Sequence, residues 1–185
     1  RFALFVLIPL FASLAFGQSS PERTITDADI DGVVMWSADT VYVLSGFVYV
    51  DDGEELHIPA GTVVKAQSGQ GVEASALIVA RGGRIFAEGT QDEPIIFTSV
   101  DDDVDETGDL PEDARGLWGG VLLLGRAGLN TADSVNQIEG IPSTEPRGAY
   151  GGSVDDDSSG VFRYVSIRYG GSKLGEGDEI NGLTM

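Results

Sequence analysis

The chain has no cysteine. That excludes disulfide staples, thiolate nucleophiles, cysteine-ligated zinc and a lipidated cysteine. It has one histidine, His57. Any Ser-His-Asp triad would need that residue, and no Gly-x-Ser-x-Gly elbow accompanies it. Basic residues are scarce, 11 against 30 acidic, for a net charge of −19. Nucleic-acid binding runs on cationic contacts to phosphate, so the balance argues against that partner and against anionic lipid. It favours solubility and divalent cations instead. No long segment has the apolar period of a helix.

The only long apolar run is Phe2 to Phe16, behind Arg1 and interrupted by Pro9 and Ser13. A basic start, a short apolar core and small residues at Ala15 and Gly17 predict a secretory signal peptide over 1–17. Cleavage would leave Gln18 first, and loss of Arg1 would take the net charge from −19 to −20. A membrane anchor is the alternative. The run is shorter than the roughly 20 residues a spanning helix needs, and no charged stop follows it. The expectation is a secreted or outer-surface protein with no membrane span in its mature part. With no Met before Arg1 and a strand-like stretch at Met185, a fragment of a longer protein is expected.

Glycine is abundant, at 26 residues, and it punctuates short apolar strands. Val41–Leu44 and Phe47–Val50 come first. Then come Leu56-His57-Ile58, Leu77-Ile78-Val79 and Ile95-Ile96-Phe97. In each, alternation points the outer two residues to one face. Leu77 follows Leu56 by 21 residues and Ile95 follows Leu77 by 18, close to the length of one solenoid coil. Gly61, Gly82, Gly83 and Gly89 fall at the bends. An antiparallel sandwich also uses short strands and glycine turns, but the regular Asn-Gly hairpin signals are missing. The pattern predicts an all-β, right-handed parallel β-helix over 36–185, C-terminally incomplete, after a polar lead-in over 18–35. Two long acidic loops interrupt it. One runs from Asp101 to Arg115, the other from about Arg126 to Gly160.

The succession Pro-Ala-Gly-Thr-Val-Val (59–64), Ala-Leu-Ile-Val-Ala-Arg-Gly-Gly-Arg-Ile (76–85), Pro-Ile-Ile-Phe-Thr-Ser (94–99), Trp-Gly-Gly-Val (118–121) and Tyr-Val-Ser-Ile-Arg-Tyr-Gly-Gly (164–171) resembles a family of secreted bacterial right-handed β-helix proteins. It covers most of the chain from about residue 36. The family's activities are mostly unassigned. Some members carry a type IX sorting tail, so the resemblance implies display at the cell surface. The wider fold includes pectate lyases, but fold does not fix function.

Several motifs carry candidate chemistry. Asp27, Asp29, Asp31 and Gly32 imitate the start of a calcium loop, but its twelfth position is Ala38 where a bidentate Glu belongs. Asp101, Asp102, Asp103 and Asp105 on the first loop, and Asp155, Asp156 and Asp157 on the second, are the better calcium candidates. Crowded carboxylates either hold a cation or spread into water. A lyase would need calcium and a nearby base. Arg163 and Arg168 are near the second cluster, although arginine is rarely deprotonated. Gly69-Gln70-Gly71 begins a dinucleotide-like fingerprint, but a strand follows where a helix is required. Trp36 and Trp118 could stack on sugars or fill the core, and the core is favoured for Trp118.

These readings lead to an exported scaffold, in adhesion or glycan contact, with extracellular polysaccharide or cell-surface components as partners and no catalysis assigned. The alternative is a calcium-dependent polysaccharide lyase-like enzyme.

Overall fold

A computed structural model describes residues 20–173 and 180–185. The expected signal peptide lies outside the described residues. Among them there is no α-helix, only strands and three short 3-10 turns. Among the described residues no helix is long and apolar enough to cross a membrane.

The chain winds in coils, each laying up to three strands. The first coil holds β1 (Glu22–Ile25) and β2 (Val33–Met35). The second holds β3 (Val41–Leu44), β4 (Phe47–Val50) and β5 (Glu55–Pro59). The third holds β6 (Val63–Ala66), β7 (Ala76–Val79) and β8 (Arg84–Glu88). The fourth begins with β9 (Ile95–Ser99) and β10 (Gly120–Leu123). It then makes a small antiparallel pair, β11 (Asn136–Gln137) and β12 (Ala149–Tyr150), before closing with β13 (Gly160–Arg163). A further coil starts with β14 (Val165–Ile167) and β15 (Leu183–Thr184).

Strands stack in parallel into three sheets: β1-β3-β6-β9-β14, β4-β7-β10-β15 and β2-β5-β8-β13, here called sheets one, two and three. This is a parallel β-helix. Alternation sends every second side chain into the bore. Tyr42, Val64 and Phe97 stack inward on sheet one. Val48, Leu77 and Val121 do so on sheet two, and Leu56 and Ile85 on sheet three. All are buried, and each large aliphatic or aromatic one contributes about 1.5–3 kcal/mol.

Two sequence expectations change. Leu56, Leu77 and Ile95 are not successive rungs of one ladder. They lie on sheets three, two and one, and their stacked partners are Ile85, Val121 and Val165. The inward alternation is the same on every sheet, so the pattern recurs per strand rather than per coil. The polar lead-in is also structured. β1 pairs with β3 and β2 with β5. Between them, a 3-10 turn at Asp27–Asp29 stands where a sheet-two strand would be. Asp27 there accepts the Tyr49 backbone N–H at 3.0 Å, so the edge of β4 is capped by a side chain.

The second long loop is more than a solvated excursion. Residues 124–159 fold back over the outer face of sheet two. There Tyr49, Ile78 and Leu122 form an outward row. Together with Leu124, Ile141 and Ile180 they make a second buried cluster, against which Ile138 and Tyr150 pack. Isolated isoleucines in a polar stretch give no periodic signal, so this lid is silent in the sequence.

Candidate functional site

The lid and the coils enclose a cleft. Its floor is the corner where sheet two turns into sheet three. Two tight turns stack there, with Gly53 N–H donating to the Gly82 carbonyl at 3.2 Å. Gly82 has φ +91°, and a Cβ at that position would collide with the Asp52 carboxylate and approach Arg126 Nη1 to 3.0 Å. Glycine therefore gives both side chains their room. In the fourth coil the same corner is replaced by the lid, which supplies the opposite wall. The resulting cleft, about 540 Å³, is lined chiefly by Asp51, Asp52, Arg81, Arg126, Pro146 and Arg147.

Arg147 ties the lid to the coils. Its Nε and Nη2 donate to Glu145 at 2.9 and 3.0 Å, and its Nη1 donates to Asp27 at 2.8 Å. The guanidinium lies 3.7 Å from the centre of the Tyr49 ring. Hydrogen bonds from Arg147 hold Glu145 below the ordinary carboxylate value, and bonds to Glu145 raise Arg147 in turn. Burial, then the Glu145 charge, pushes the Tyr49 phenol up to about 12.

Arg126 is held similarly. Its backbone N–H donates to Asp157 at 2.7 Å and its Nε at 3.2 Å. These bonds, the backbone one foremost, keep Asp157 below its usual value. Arg126 Nη1 reaches Asp52 only at 3.5 Å. Arg81 Nη1 donates to the Gly151 carbonyl at 3.1 Å. The carboxylates are less well served. Asp52 is 76% exposed. Asp51 Oδ2 is 3.5 Å from Arg147 Nη1, and its Oδ1 is shielded from solvent with no hydrogen-bond partner among the described residues.

The residues singled out for calcium are distributed otherwise. Asp101 accepts from the Ser68 and Ser99 hydroxyls at 2.5 and 3.2 Å. Asp102 is buried and accepts from Thr98 Oγ1 at 2.6 Å, with Arg168 Nη1 3.7 Å away. Lys65 Nζ donates to the Asp102 carbonyl at 2.9 Å. Asp103 accepts the Asp105 backbone N–H at 3.1 Å, and Asp105 is exposed. Asp155 and Asp156 are exposed, while Asp157 is taken by Arg126. Among the described residues no three acidic or histidine side chains converge as a metal-ligand set. In the calcium-loop imitation, Asp27 is held by Tyr49 and Arg147, and Asp29 closes a capping box with Thr26.

Both tryptophans are core residues. Trp118 is fully buried and its Nε1 donates to the Arg168 carbonyl at 2.7 Å. Trp36 stacks on Tyr42 with ring centres 4.2 Å apart. His57 faces outward on sheet three and stacks on Phe86 at 4.6 Å. With Met35 and Val161 they form one row along the solenoid. Ion pairs Arg84–Glu55, at 3.3 Å, and Arg163–Glu88, at 2.9 Å, border it. The rings turn their faces to each other, not to solvent.

Sequence reasoning missed Asp51, Asp52, Arg81, Arg126 and Arg147. The available signal was scarcity. Three of only 11 basic residues meet at one cleft of an acidic protein.

A family model described as a pectate-lyase like beta helix domain matches residues 28–185. No curated protein and no solved structure matches the chain.

Proposed function

The chain belongs to the pectate-lyase-like β-helix domain family, and from that premise we propose that it is an exported, non-catalytic scaffold that contacts glycan outside the cell or at its surface. The observation that carries this reading is the lid-roofed cleft. Arginine and aspartate side chains together line a volume of about 540 Å³. Sugars offer hydroxyls that both donate and accept, and a wall carrying both donors and acceptors suits them. The rigid coils hold the cleft floor, and the ion pairs hold the lid wall. Export is supported by the leader-like start of the chain.

The test uses the full chain against a panel of polysaccharides. Retention on at least one glycan, with no unsaturated sugar ends formed in the presence of calcium, is the expected result. Product formation defeats the scaffold reading and favours the calcium-dependent lyase-like alternative. Export is checked by expressing the gene in a secreting host, where the released protein is expected to begin at Gln18.

A further inference from the structure

The charges around the cleft do not favour an anionic sugar. Three guanidinium groups are present, from Arg81, Arg126 and Arg147. Five carboxylates surround them: Asp51 and Asp52 in the lining, and Asp27, Glu145 and Asp157 as direct partners of the arginines. The local balance is three positive against five negative, on a chain of net −19. The arginines are also committed. Arg147 gives its fork to Glu145 and a third bond to Asp27. Arg126 serves Asp157, and Arg81 a backbone carbonyl. A uronate or sulfate would have to displace these partners.

What the cleft has in surplus is acceptor capacity. Asp52 is largely exposed, with one ion pair at 3.5 Å. Asp51 adds Oδ2, 3.5 Å from Arg147, while its Oδ1 is turned away from solvent. Carboxylates bind N–H donors of a cation more strongly than neutral hydroxyls. Building on the glycan reading, we propose that this cleft takes a sugar unit bearing a protonated amine. Asp52 receives the ammonium with Asp51 Oδ2 beside it, and Arg81, which spends only Nη1 on the Gly151 carbonyl, donates its remaining N–H groups to ring hydroxyls. The class is thereby set apart from acidic polysaccharide.

The test measures binding of the full chain, by calorimetry at low ionic strength, to four probes. These are a glucosamine oligomer, its N-acetylated counterpart, a neutral glucose oligomer and a galacturonate oligomer. The glucosamine oligomer is expected to bind about tenfold tighter than either uncharged probe, the scale of one charge-assisted bond, and the galacturonate oligomer weakest. Asp52→Asn should remove that advantage. Asp39→Asn, on an exposed site outside the cleft lining, should keep it. Thermal melting confirms that both variants fold. Equal or tighter binding of galacturonate or of the neutral probes overturns the inference while leaving the glycan reading in place. No binding of any sugar overturns both. A lysine-rich peptide that binds where all four sugars fail would assign the carboxylates to a protein partner, which also overturns it.

Discussion

Replacing Arg147 by Leu should loosen the lid without unfolding the coils. The guanidinium makes three kinds of contact: a cation–π contact with Tyr49 at 3.7 Å, an ion pair with Asp27 at 2.8 Å, and a fork onto Glu145. The first is worth about 1 kcal/mol when partly desolvated. Arg147 is 31% exposed and Asp27 43%, so solvent screens each ion pair to about 0.5–1 kcal/mol. The Glu145 fork lies within the lid and orients the guanidinium, so the two contacts that cross to the coils hold the lid by about 1.5–2 kcal/mol. Leucine keeps some apolar cover over Tyr49 and none of the rest. At 1.4 kcal/mol per tenfold, local opening should become about 10- to 30-fold more frequent.

Hydrogen exchange reads this directly. The lid amides of Ile138, Gly151 and Val154 are bonded to Gly148, Gly125 and Arg126, and they should exchange faster by that factor. The amide of Ile96, bonded to Thr62 between coils, should not change. Arg147→Lys keeps the charge but loses the fork, so it should fall between the two. Unchanged lid exchange would refute the latch. Uniform acceleration through sheet one would show that Arg147 supports the whole solenoid.

Acid should loosen the lid through its internal ion pairs, Arg147–Glu145 and Arg126–Asp157. Glu145 and Asp157 lie below ordinary values of 4.5 and 3.8. Their stabilisation is complete above those values and is lost as pH falls through the lowered folded ones. Lid exchange should therefore rise below about pH 4, and an unchanged profile down to pH 2.5 would count against the ion pairs. Trp118→Phe leaves the Arg168 carbonyl without its donor and a gap in a fully buried site. A loss of about 2–4 kcal/mol in denaturant melts is expected. With Asp101 and Asp102 bonded to Ser68, Ser99 and Thr98, calcium binding on this loop rests on Asp103 and Asp105: if the loop takes the ion, calcium raises Tm of the full chain and Asp103→Asn with Asp105→Asn abolishes the rise. No rise over a chelator control removes the metal from the account.

The strands were legible because each carries its own signal. Leu56-His57-Ile58 and Leu77-Ile78-Val79 alternate cleanly, and glycine marks the bends. Gly89 illustrates the second reason for glycine. Its φ is not positive, but a Cβ there would strike the Tyr164 carbonyl of the next coil. The stacking partners were not legible. Leu56 meets Ile85, and Ile85 meets Gly160 across the whole lid. Loops of unequal length erase any fixed period, so individual core strands are visible and rung order is not. The cleft was hidden for the same reason. Asp52 and Arg126 come from different coils, and only the stacked corner brings them together. The acidic runs drew attention as runs, yet Asp102 and Asp157 are bonded within the fold to Thr98 and Arg126.

Residues 124–159 are an insertion within one coil, leaving β8 and β13 as stacked neighbours. Glu88 and Arg163 are partners in that register, and their side chains pair on the surface. Adjacent parallel strands lie about 4.8 Å apart, within disulfide range. Because the chain has no cysteine of its own, the double variant Glu88→Cys with Arg163→Cys is a clean probe. Mild oxidation should cross-link it nearly completely within single molecules, read as a mobility shift on a denaturing gel and by peptide mass. A folded protein in which that bond does not form would contradict the coil order, and with it the cleft.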